Sequence, residues 1–81
     1  MSEKEIQFLQ TLRVMFEGSP FTPLEAMESC RLSQLPESVR GYLVVHGPGI
    51  GATKAMAREL AALGATRLPQ RSRTGFLWVL A

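Results

Sequence analysis

The chain has one cysteine, one histidine and no apolar stretch long enough to cross a bilayer. Each scarcity closes off a class of chemistry. Cys30 alone leaves no internal disulfide framework and no multi-cysteine zinc site. A nucleophilic thiol needs a base beside it, and His46 belongs to a different segment, so Cys30 reads as a buried, inert thiol. A membrane span needs roughly 18 apolar residues, whereas the longest run here, Gly75 to Ala81, is strand-sized. The first residues, Met1-Ser2-Glu3-Lys4-Glu5, are acidic and polar, where a signal peptide is basic and then apolar. A cytoplasmic protein without membrane contact is expected. The sequence has no paired carboxylates, no histidine–carboxylate constellation and no metal-ligand spacing. No enzyme activity, no metal and no cofactor are therefore expected.

What is present describes a globular chain. Of 81 residues, 46% are hydrophobic and 20% charged, enough for one small domain over 1–81 and no second core. The net charge of +2 is unevenly spread. Residues 1–35 carry Lys4, Arg13 and Arg31 against Glu3, Glu5, Glu17, Glu25 and Glu28, a net −2. Residues 36–81 carry Arg40, Lys54, Arg58, Arg67, Arg71 and Arg73 against Glu37 and Glu59, a net +4. An asymmetry of this kind points the second half toward a polyanion.

Start and stop signals divide the chain. Ser2 with Glu5 forms a capping box, and Ile6, Phe8, Leu9, Leu12, Met15 and Phe16 recur at helical spacing until Gly18. Thr22, Pro23 and Glu25 open a second helix that carries Leu24, Ala26 and Met27 and fades between Cys30 and Leu32. Leu35 to His46 reads both ways: Pro36-Glu37 favours a helix, and Tyr42-Leu43-Val44-Val45 suits a strand. The helix is preferred. Gly47-Pro48-Gly49 is a break, after which a helix runs from about Gly51 to Leu63 with Gly64 at its C-cap. Its core face holds Ala52, Met56, Leu60 and Leu63, and its opposite face holds Lys54, Ala57, Arg58 and Ala61. Thr66 to Gln70 and Gly75 to Leu80 read as strands around the turn Arg71-Ser72-Arg73-Thr74, with Pro69 confining the first to an edge. Tyr42 and Trp78 are expected in the core, and His46 is expected to cap carbonyls at a segment end.

Two tempting motifs fail. Gly47-Pro48-Gly49-Ile50-Gly51-Ala52-Thr53-Lys54 has alanine where a phosphate loop needs glycine, and its threonine precedes its lysine. Arg73-Thr74-Gly75-Phe76 lacks the alternating aromatics of an RNA-binding strand.

Helix, glycine-rich turn, helix, then a hairpin with arginines at its tip is the order of a winged helix-turn-helix. The stretch Gly51 to Ala65, followed by Arg67, Gln70-Arg71-Ser72-Arg73 and Trp78, resembles the winged helices of phage and plasmid proteins. It is similar to those that end some mobile-element primase-helicases: a helix closing in leucine-glycine, an arginine-rich hairpin, then a tryptophan. The similarity covers residues 36–81, and the chain departs from that group in having no ATPase region. The resemblance implies an α+β fold of three or four helices followed by a C-terminal β-hairpin, and a small phage or prophage regulator that binds duplex DNA. Thr53, Lys54 and Arg58 would then sit on the recognition helix, with Arg67 as a flanking phosphate contact and Arg71 and Arg73 in the wing. A homodimer through the N-terminal helix is the expected assembly. The rival is a protein-interaction module, such as a phage-encoded inhibitor gripping a host protein through its acidic half. A scaffold stable only as an oligomer is a third reading.

Overall fold

Two capping motifs begin the first two helices. In the computed structural model, which describes residues 2–73 and 75–80, the Ser2 hydroxyl accepts from the Glu5 N–H at 3.3 Å and opens α1 (Glu3–Phe16). The box is half-built, since the Glu5 carboxylate accepts from the Ser2 hydroxyl rather than from its backbone. The second box is complete. The Thr22 hydroxyl accepts from the Glu25 N–H, the Glu25 carboxylate accepts from the Thr22 N–H, and Pro23 begins α2 (Pro23–Ser29). A 3-10 turn at Leu32–Gln34 follows, for which the sequence carries no distinct signal.

The ambiguous segment is helical. Pro36 stands at the N-cap of α3 (Glu37–His46), one position earlier than expected. Val39 is buried while Tyr42 and Leu43 pack against the core at the i+3 and i+4 positions; Val44 and Val45 turn outward. A strand would have buried alternate residues instead. Gly47, in the left-handed region at φ 74°, ends α3 and lets the chain reverse into α4 (Ile50–Ala62). The Ser38 hydroxyl donates to the Glu59 carboxylate at 2.6 Å and ties the two helices together. A Schellman cap closes α4. Gly64, at φ 91°, donates to the Ala61 carbonyl and Ala65 donates to that of Leu60, so two orphan acceptors are satisfied.

The chain then forms an antiparallel ribbon of β1 (Thr66–Ser72) and β2 (Gly75–Val79). Arg67 pairs with Trp78 and Arg71 with Phe76, so the three residues 68–70 of β1 stand against Leu77 alone of β2, and the surplus is a bulge holding Pro69. β2 has a second partner. Phe21, between α1 and α2, exchanges both backbone hydrogen bonds with Trp78, at 2.9 and 2.7 Å. β1 is therefore the outer strand, as Pro69 requires. The ribbon also differs from expectation in extent. Arg71, expected in the turn, lies in β1 because the bulge lets pairing resume beyond Pro69. Arg73 remains at the tip, and Thr74 lies outside the described residues.

Residues from both charge halves build one core. Phe8 and Leu12 from α1, Phe21, Val39, Met56 and Leu60 are all but sealed from solvent, and Trp78 closes the cluster from β2. Four α-helices followed by a C-terminal hairpin give an α+β fold with a winged-helix-like layout.

Candidate nucleic-acid interface

The face of α4 that looks away from the core carries the basic side chains. Ala52, Ala55, Met56 and Leu60 are buried, which leaves Lys54 and Arg58, one turn apart, exposed. Thr53 is half-buried, and its hydroxyl donates to the Gly49 carbonyl at 3.1 Å. The same carbonyl also accepts from the Thr53 N–H, so this back-bond caps none of the free N–H groups of the first turn, where Gly49 has no side chain to offer. The back-bond leaves the Thr53 oxygen able to accept but not to donate.

The ribbon faces this helix. Pairing places Arg67 opposite Trp78 and Arg71 opposite Phe76, and both guanidinium carbons stand 4.7 Å from the centre of the Phe76 ring. Cation–π contact of this kind limits the freedom of two otherwise flexible arginines. Because Trp78 turns its backbone groups to Phe21, its pair with Arg67 is the closer, non-hydrogen-bonded type.

Between α4 and the ribbon lies a groove of about 570 Å³. Leu24, Ile50, Ala57, Phe76 and Trp78 give it an apolar lining, and Lys54, Arg67 and Arg71 give it a positive rim. Of the six residues expected to act together, Thr53, Lys54, Arg67 and Arg71 line this groove. Arg58 and Arg73 do not; they are exposed farther along α4 and at the hairpin tip. Glu59, the one carboxylate on α4, accepts from the Ser38 hydroxyl of α3 and is half-buried, while Lys54 and Arg58 are exposed.

Comparison with known proteins finds no match. No family model, curated protein or solved structure is similar to the chain, so the layout and the groove carry the functional argument.

Other residues behave as structural parts. Trp78 is buried in the core, and Tyr42 is half-buried against it. His46, expected to cap carbonyls, lies with its ring 4.6 Å from that of Tyr42. Burial pushes the Cys30 thiol above its usual pKa, which disfavours the reactive thiolate. Among the described residues no cluster of metal-ligating side chains occurs, and no helix is long and apolar enough to cross a membrane. Sequence reading passed over Ile50, Leu24 and Phe76. For Ile50 a signal existed, since it precedes Thr53 and Lys54 by three and four positions on the same helical face. Leu24 and Phe76 reach the groove only through the tertiary fold.

Proposed function

We propose that this chain is a small winged-helix protein that binds duplex DNA, with α4 in the major groove and the ribbon along the neighbouring backbone. The convergence of Lys54, Arg67 and Arg71 on one groove, beside the open face of α4, carries this reading. Two consecutive elements, α4 and β1, supply these cations, and a duplex presents phosphates on both sides of the groove that a helix enters. Arg58 extends the basic line along α4, and Arg73 extends it to the tip of the wing. The setting proposed is a cytoplasmic regulator of phage or prophage type, in keeping with the resemblance of residues 36–81. A homodimer through α1 belongs to the same proposal, supported by Ile6, Val14 and Met15, which that helix leaves exposed.

The test is binding to random duplex DNA at low and moderate salt, repeated with K54A/R58A. A measurable affinity with a steep salt dependence, flattened in the double variant, is expected. Val44 and Val45, exposed at 74% and 73%, favour a second reading in which the outer face of α3 grips a host protein. Indifference to DNA at low salt, together with stoichiometric capture of one protein that V44S/V45S abolishes, would select that reading.

A further inference from the structure

The stripe of α4 that lines the groove is poor in donors for a surface that meets DNA, in contrast to Arg58 farther along the helix. Ile50, Thr53, Lys54 and Ala57 follow the i, i+3, i+4, i+7 spacing of one helical stripe, and all four line the groove. Two of them are apolar, and the third has its hydroxyl proton committed to the Gly49 carbonyl. Lys54 alone brings free N–H groups. Ile50 is 77% exposed and takes no part in the core cluster, so the fold itself gives no reason for a large branched side chain there. It is also the first residue of α4, and the N-terminal residues of a recognition helix reach the base edges. Along the floor of the major groove the apolar group on offer is the C5-methyl of thymine.

We infer that the protein reads thymine methyl groups, with Ile50 as the receiving side chain and Ala57 leaving room for the duplex to approach. The inference rests on the DNA-binding reading and adds the chemistry that α4 recognises. Lys54 anchors the stripe to phosphate or to a guanine edge, and Ile50 selects the position of an A·T pair. Burying one methyl against the isoleucine contributes roughly fourfold in affinity at each thymine so contacted.

The test begins by selecting tightly bound duplexes from a random pool. The best of them is then remade with deoxyuridine in place of thymidine, one position at a time, which removes only the methyl. At one or more positions the wild-type protein should bind about fourfold more weakly. I50A should bind the all-uridine duplex as the wild type does and lose the distinction between thymine and uracil, while I50V should keep part of it. Equal affinities for thymine and uracil duplexes in the wild type would overturn the inference while leaving DNA binding intact. Full discrimination surviving in I50A would overturn it as well. Failure to retain any duplex would instead remove the DNA-binding reading beneath it. The exposure of Ile50 leaves the variants folded, which thermal unfolding can check.

Discussion

The Tyr42 side chain lies directly over Gly51, where α3 meets the first turn of α4. A Cβ at position 51 would overlap the phenol hydroxyl and the ring edge. The contact lies between α3 and α4, the helix that carries Lys54 and Arg58. Alanine ordinarily improves a helix by about 1 kcal/mol over glycine, but here it must displace an aromatic ring. G51A is expected to lower stability by about 1–2 kcal/mol in urea unfolding. In a Y42A background the sign should reverse, with alanine at 51 stabilising by about 0.5–1 kcal/mol. A helix contact that merely tolerates Gly51 would give the same sign in both backgrounds.

Lys54 and Arg58 are exposed, so removing them tests binding without disturbing folding. K54A/R58A should unfold within about 0.5 kcal/mol of the wild type. If each neutralises one phosphate, the log–log slope of affinity against salt should fall in magnitude by about 1.8. An unchanged slope would place these side chains away from the duplex.

Phe76 makes a different prediction, because it carries no charge yet holds two that the proposed interface would use. Without the ring, Arg67 and Arg71 keep their charges and lose their support. F76A should weaken DNA binding by about threefold, in line with roughly 0.5–1 kcal/mol for an exposed cation–π contact. Its salt slope should match that of the wild type. A slope reduced by F76A would mean that the arginines had left the interface altogether.

The complete capping box at the start of α2 is local and strongly marked. T22A should cost about 1–2 kcal/mol, the upper part of the range for a lost N-cap, because Thr22 is fully buried. E25Q keeps an acceptor for the Thr22 N–H and should cost much less.

Cys30 gives a pH dependence whose sign follows from burial. The folded thiol holds its proton more tightly than an unfolded one, whose ordinary pKa is 9.0. Its contribution to stability is therefore full below that value and is lost as pH rises through the thiol range and beyond. C30A should flatten this alkaline decline, and alkylation of the native protein near neutral pH should be slower than that of the unfolded chain.

Much of the fold was legible in the residues because its signals are local. Thr22-Pro23 and Glu25 marked a helix start, Gly64 a helix end and Pro69 an outer strand, each through a backbone rule acting within a few positions. The run Tyr42 to Val45 left two readings open, since its β-branched residues are compatible with either structure, and the preference for a helix drawn from Pro36-Glu37 is borne out. Phe21 pairs with Trp78 across more than half of the chain, and one residue shows no alternation to read. The bulge moved Arg71 from the turn into the strand, a register change that single-strand patterns do not encode. In the candidate interface, the outward position of Lys54 and Arg58 followed from helical periodicity. The apolar wall that Leu24, Ile50 and Phe76 build beside them had to await the assembly of three separate elements.

The backbone pair formed by Phe21 and Trp78 makes the acidic front and the basic back of the molecule mutually dependent for folding. A fragment starting at Pro36 would keep every cation of the wing, yet lose the neighbour of β2 and the α1 and α2 side chains that share the core with Trp78. Such a fragment should behave as a loose basic peptide, attracted to any polyanion and selective for none. Under the proposed DNA binding, such a truncation would spare affinity and abolish selectivity.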